Sequence, residues 1–511
     1  MKRLGLRTTA WLISLAVIAL SGTACLGLDV TNPNEPDRGR ALSEARDVES
    51  LIGGTFSTWW DIKQGRAPGR ALSQSAEVHS SGSANHFTQD LGQQPRAPVP
   101  NQIGYQWGYP VDDPWNLLNR ALAAIRDGLL AIEEGLQIGP NGVDNTRAIA
   151  FGRFMQGLNH GFIAKLYDRG FVLDETVDPE QLVQNRDLKA YGDVMQAARA
   201  YLAEARQLAS QHNFTIPSEW MGRSYSSAQL VQLAHSYEAR LMASVARTPE
   251  ERAQVNWEQV LQHIDQGITF DFGNDIEPGG VWSNEYKGAN ILSMRFVGPA
   301  DQSGSWQAWE AADPRTREPF LVDTDDRRIH GAAGPQSDGV YMEIPGQVFE
   351  DPQRGVWFLS YYRHLPWRQA FLDTGGFGFA PEMTLLEMDY LRAEALVRLN
   401  RSEEALPFIN ARRTSVGGLP PATVNGVSGD RCVPRTISGE CADLLRTLLY
   451  EKQLETVWLS AGLDYWDQRG FGTLRAGTQL QFPIPAEELE TLGEPWYTFG
   501  GAGQSGAAPG P

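Results

Sequence analysis

From Met383 to Gly472 the sequence reads as two helices, a short insert and a third helix, and no other stretch limits the fold as tightly. The first two helices cover Met383 to Leu399 and Ser402 to Arg413. Ala393 and Ala405 are small residues placed where two helices must approach closely, and Leu396, Leu406 and Ile409 complete an apolar seam. Asn400 and Arg401 make the turn. Ser402, followed by Glu403 and Glu404, supplies an N-cap with acids in the positive first turn. Gly417 and Gly418 then stop the second helix. The pattern predicts a helical hairpin.

The third helix, Asp443 to about Ser460, has an anomaly. At about 100° per residue, Leu444, Leu448, Glu451, Glu455 and Trp458 fall on one face. Two carboxylates inside an apolar stripe have to be paired or protonated. A structural ion network is therefore expected, joining Glu451 and Glu455 to Arg412 and Arg469, with Arg392 and Arg413 as further candidates. The two carboxylates lie roughly 6 Å apart on a helix, near the ~5 to 5.5 Å of a retaining glycosidase. Catalytic pairs, however, flank the sugar from opposite sides and are not sunk in a helix seam, so the structural reading is preferred.

These residues also carry a family resemblance. The run TLLEMDYLRAEALVRLNRSEEALPFINARRTSVGG, ending at Gly418, is similar to the C-terminal tetratricopeptide unit of SusD/RagB family outer-membrane lipoproteins. Tyr450 to Gly470, YEKQLETVWLSAGLDYWDQRG, resembles the block that follows in that family. It departs from it where Ala461-Gly462-Leu463-Asp464 replaces an acidic residue, a glycine and an arginine. Phe482-Pro483-Ile484-Pro485 with Glu487 and Glu488 is similar to the family's closing segment. The resemblance implies a mainly α fold of tetratricopeptide-like helical hairpins, interrupted by a large, irregular, loop-rich insertion.

At the other end of the chain, Lys2, Arg3 and Arg7 precede an apolar run from Trp11 to Leu20, and Gly22-Thr23-Ala24-Cys25 follows. This is the pattern of a signal peptide over residues 1–24. The run is too short to span a membrane, which takes about 20 apolar residues. Cleavage before Cys25 would leave a cysteine at the mature N-terminus, which resembles a bacterial lipobox; processing after Ala24 without lipidation is the alternative. The segment Leu28-Asp29-Val30-Thr31-Asn32-Pro33-Asn34 is also similar to the SusD/RagB family. Cys25 is thus the expected lipidation site, with residues 25–36 as a tether. Cys432 and Cys441 remain, and in an oxidising compartment a disulfide closing a small surface loop is expected. No C-x-x-C or histidine cluster accompanies them, so neither a metal nor a cofactor is expected.

The formal charge of −18 disfavours a nucleic-acid partner. Length alone would allow two or three domains, but no clean linker divides the chain. One helical body over residues 37–498 is expected, with an insertion at about 268–382 and a flexible tail at 499–511. Further helices are predicted at Leu42 to Trp60, Trp115 to Glu134, Thr146 to Asp168, Tyr191 to Gln211, Ser226 to Val245 and Trp257 to Gly267. His160, His235 and His263 lie on these and are expected to be packed or surface residues rather than ligands. Asp61 to Pro114, rich in Gly, Ser, Gln and Pro, reads mostly as loop. Long loops in compact proteins usually serve binding, and this one holds Asn101, Tyr105 and Trp107.

From Phe270 to Pro381 the sequence turns to Gly, Pro, Asp and aromatics, with Trp282, Trp306, Trp309, Trp357 and Trp367. Asp313-Pro314-Arg315 and Asp326-Arg327-Arg328 resemble architectural segments of the same family. The resemblance implies that loops of this insertion and of the early Asn- and Trp-containing region form the ligand surface. Aromatic faces suit sugars, because the apolar face of a pyranose stacks on a ring while amides and carboxylates take its hydroxyls. The expected ligand-binding residues are Asn101, Tyr105, Trp107, Trp282, Trp306 and Trp309. Any single tryptophan could instead fill the core. Trp306 and Trp309 are favoured because their Ser/Gly/Gln-rich surroundings offer no apolar helix to bury them. Asp323, Asp325 and Asp326 have the alternating carboxylates that calcium prefers, but the twelve-residue calcium loop is absent and a solvated acidic turn is preferred.

No G-x-S-x-G elbow, H-E-x-x-H or phosphate-cradling G-x-x-x-x-G-K-[ST] occurs, so nothing nominates an enzyme. The resemblance implies a surface-exposed, lipid-anchored nutrient-binding protein of the outer membrane. It would capture glycans and pass them to a SusC-like TonB-dependent transporter. Peptide or other nutrient binding in a RagB-like manner, and a secreted glycoside hydrolase, are the alternatives.

Overall fold

The computed structural model of the chain describes residues 42–64, 66–79, 88–278, 280–282, 291–345, 359–366, 373–457, 459–460 and 462–511. The expected signal segment, Cys25 and the expected tether lie outside them, as do Trp357, Trp367 and Trp458. We number the helices of nine or more residues. They are α1 Ala45–Gly53, α2 Thr55–Gln64, α3 Tyr109–Glu133, α4 Asn145–Leu166, α5 Tyr191–Gln211, α6 Ser227–Ser244, α7 Trp257–Asp265, α8 Leu385–Arg398, α9 Ser402–Ser415, α10 Leu444–Thr456 and α11 Leu463–Phe471.

Helices adjacent in sequence pack on one another from α2 through α7, and α7 then packs on α8 although the whole insertion separates them in the chain. The fold is therefore mainly α, a stack of helical hairpins from which the insertion is looped out. Its base is clamped by two antiparallel strands, β1 Phe272–Ile276 and β2 Gly378–Met383, with Phe272 opposite Met383 and Ile276 opposite Gly378.

Local chemistry fixes the helix ends. Ser226 and Gln229 form a capping box at the start of α6, and Thr384 and Asp443 accept from the amides of Glu387 and Arg446 to start α8 and α10. Helix α4 lies at the centre. Gly152, Gly157 and Gly161 let three neighbours approach it so closely that an added Cβ would stand 3.0 Å from Leu129, 2.6 Å from Leu202 and 2.6 Å from Leu241. A helix enclosed in this way shows no single apolar stripe.

Several expectations are corrected. The predicted Leu42 to Trp60 helix is two helices divided at Gly54. Helix α3 begins at Tyr109, earlier than Trp115, because Pro110 is favourable in the first turn. Helix α10 ends at Thr456, short of Ser460, which adopts a left-handed backbone (φ 45°) and takes hydrogen bonds from Lys63 and Arg240. Residues 499–511 are not a loose tail: Gly501 donates to the Gly477 carbonyl, Leu480 to that of Gly506 and Ala508 to that of Thr478.

The charged seam of α10 is paired, with one change of partner. Glu451 accepts from Arg413 at 2.8 Å and from Arg328 at 2.6 Å, and Glu455 accepts from Arg412 at 3.1 Å and from the Tyr341 hydroxyl at 2.7 Å. Arg469 takes no part. It donates instead to the carbonyls of Lys165, Ser244 and Leu480, closing the ends of α4 and α6 where helix carbonyls lack partners. Arg247 does the same for Ala164 and Tyr167. Arg392 pairs with Asp265 on α7.

Candidate functional site

A cavity of about 600 Å³ opens between the insertion, the loop before α10 and the first turns of α10 itself. Its loop wall is held by three devices. Cys432 and Cys441 are joined by a disulfide, with S–S 2.00 Å and Cα atoms 5.7 Å apart. The Arg435 amide donates to the Pro299 carbonyl at 2.8 Å, and the Gln307 side chain to the Thr436 carbonyl at 3.0 Å. Together these tie the disulfide loop to the insertion.

The floor is Glu77, a buried carboxylate that accepts from Arg96 at 2.8 Å, Arg295 at 3.0 Å and Arg475 at 2.6 Å. Burial pushes its pKa up, but Arg475, Arg295 and Arg96 outweigh this and hold it well below the usual carboxylate range. Its backbone sits in the left-handed region (φ 55°), a conformation a non-glycine residue keeps only when its surroundings over-determine it. The apolar wall comprises Phe296, Pro299, Trp306, Ile437 and Leu449. The Trp306 ring packs against Gly298, where an added Cβ would come within 2.3 Å of it.

The six residues expected to bind ligand are not brought together, and only Trp306 lines the cavity. The Asn101 amide clasps the C-terminal region, donating to the Ile484 and Tyr497 carbonyls and accepting from the Ala486 amide. Tyr105 donates to Asp90, and Trp107 is half-buried against the core. Trp282 meets Phe56 and Trp60 edge-on. Trp306 and Trp309 belong to a short helix, Ser305–Ala311, and are only 4% and 5% exposed. Their expected role as open platforms fails because Gly298 receives one ring and the Arg317 guanidinium covers the other at 4.4 Å.

Other candidates resolve as packing. Asp323 and Asp325 clasp Arg431 and Asp326 binds Arg328, and no group of three or more potential metal ligands occurs among the described residues. His160 links the Gln156 carbonyl to the Leu173 amide, and His235 and His263 face each other with Nδ1 atoms 2.9 Å apart. Sequence reasoning missed Arg446 and Gln453 in the cavity wall. They are seven apart on α10, with Leu449 between them on the same face, so the helical period that picked out Glu451 could also have found them.

No family model matches the sequence, and no curated protein matches it. Solved structures are similar. A SusD homolog from Bacteroides thetaiotaomicron VPI-5482 shares 14% identity at a TM-score of 0.56, with 91% of this chain and 98% of that one covered. A SusD superfamily protein from Bacteroides fragilis shares 10% identity at 0.53, covering 88% and 98%. A SusD-like carbohydrate binding protein from Bacteroides vulgatus ATCC 8482 shares 14% identity at 0.50, covering 85% of each chain. At such identities the likeness establishes the fold.

Proposed function

Proceeding from the SusD-like fold of this chain, we propose that it is an outer-membrane nutrient-binding protein that captures oligosaccharides and hands them to a SusC-like TonB-dependent transporter. The observation that carries this reading is the cavity beside α10, whose aromatic and aliphatic wall faces a few fixed polar groups. That is the make-up of a small-ligand site, and a pyranose has one apolar face and a rim of hydroxyls to match it. A SusD-like carbohydrate binding protein among the structural neighbours supports the same ligand class.

Capture proceeds without bond chemistry. Glu451 and Glu455 are each engaged by arginines, which leaves neither as a free acid or base. No described helix is long and apolar enough to cross a membrane. In this reading attachment rests on acylation of Cys25, which is firm when the cysteine carries more than one chain. Titration calorimetry of the purified protein against a panel of oligosaccharides and peptides tests the proposal. Saturable binding of an oligosaccharide with no new reducing ends is expected. Binding of peptides alone would replace it with the peptide reading, and accumulating reducing ends with the hydrolase.

A further inference from the structure

We propose that the cavity receives an acidic sugar, and that Arg446 with Gln453 binds the carboxylate of a uronic acid unit. The inference rests on the oligosaccharide reading above and narrows it. Arg446 is on the first turn of α10, where its backbone amide donates to the cap Asp443 at 2.8 Å. Its guanidinium has no hydrogen-bond or ion-pair partner among the described residues, and Asp443 itself is exposed at the rim. Burial pushes the guanidinium's pKa down, Asp443 pushes it up, and the neighbouring Arg295 charge pushes it down again. A half-buried cation whose nearest carboxylate, Asp443, is turned to solvent gains from an anion more than one fully exposed on the surface does.

A second observation points the same way. Three buried polar atoms on cavity-lining residues lack a hydrogen-bond partner: Trp306 Nε1, Gln453 Nε2 and Arg435 Nε. All are donors. Of the carboxylates that line the cavity, Glu440 and Asp443 are exposed and the one deeply buried, Glu77, is already saturated by arginines. The cavity thus offers a spare positive charge beside an apolar wall, with unmet N–H groups packed immediately behind that wall. A neutral sugar could satisfy the wall and some donors but would leave Arg446 unpaired. A carboxylate on the ring accepts from a guanidinium through two oxygens, while the ring and glycosidic oxygens accept from the remaining donors.

The test is titration calorimetry of the full chain with trisaccharides of galacturonate, glucuronate and mannuronate, their methyl esters, neutral trisaccharides and tripeptides. At least one uronate is expected to bind about tenfold or more tighter than its ester, with an affinity that falls as salt rises. Arg446→Gln should abolish that preference by weakening the acid far more than the ester, Arg446→Lys should restore part of it, and Gln453→Leu should weaken the acid by a smaller factor. Thermal unfolding of each variant near the wild-type midpoint separates lost recognition from lost folding. Neutral sugars bound with no preference for an acid, or an acid preference that survives in Arg446→Gln, would overturn this inference and leave the oligosaccharide reading standing. Binding of tripeptides alone would overturn both.

Discussion

At the scale of single residues, the protein's interior is governed by charges that must find partners. Glu451 is fully buried between Arg328 and Arg413. Glu451→Ala leaves two guanidinium groups facing each other out of water, and is expected to cost about 3–5 kcal/mol in urea unfolding. Glu394 gives a pH signature. Burial raises its pKa, but Arg252, Arg398 and Lys452 outweigh burial and bring it down to about 2 from an ordinary 4.5. Its folded-state pKa being depressed, its contribution is present above about pH 4.5 and is lost as pH falls toward 2. The stability of Glu394→Gln should accordingly fall less steeply than that of the wild type across that interval, measured by denaturant unfolding at several pH values. Helical phase alone exposed the α10 carboxylates in the sequence. Their partner Arg328 was not legible, because it arrives from 123 residues away, out of an insertion with no period to follow.

At the scale of elements, the amphipathic helices were readable and the enclosed ones less so. Helix α5 runs from Tyr191 to Gln211 as its spacing predicts, whereas the two tryptophans of Ser305–Ala311 misled. Their neighbours in sequence are polar, and the surfaces that cover them, Gly298 and Arg317, lie outside that helix. Trp309→Ala should therefore act on folding, destabilising by roughly 3–5 kcal/mol in urea as large core truncations do. An effect on ligand affinity with unchanged stability would show the ring to be a platform after all. The approach of α5 to α4 has its own test. Gly157→Leu forces a side chain into space where even a Cβ would stand 2.6 Å from Leu202 and 3.0 Å from the Ala198 carbonyl. A loss of about 1–3 kcal/mol or more is expected from such overpacking, read as a lower urea midpoint.

At the scale of the whole molecule, a stack of helical hairpins provides a rigid body, and the insertion clamped by β1 and β2 brings a second wall against α10. The hairpin stack was legible from periodicity and family resemblance. The cavity was not, because it joins Glu77, the insertion, the disulfide loop and Pro511 from four separate parts of the chain. The proposed anchor belongs to this scale as well: Cys25→Ser should move the protein from the outer-membrane fraction to the soluble one, seen by fractionation and immunoblot. The most direct measurement is a crystal structure of the protein with the tightest-binding oligosaccharide from the titrations. The account predicts the sugar inside the cavity, one ring against the apolar wall of Phe296, Pro299, Ile437 and Leu449 and its polar rim on the α10 face that carries Arg446 and Gln453. Sugar bound at Trp282 or Trp107 with the cavity left empty would contradict it.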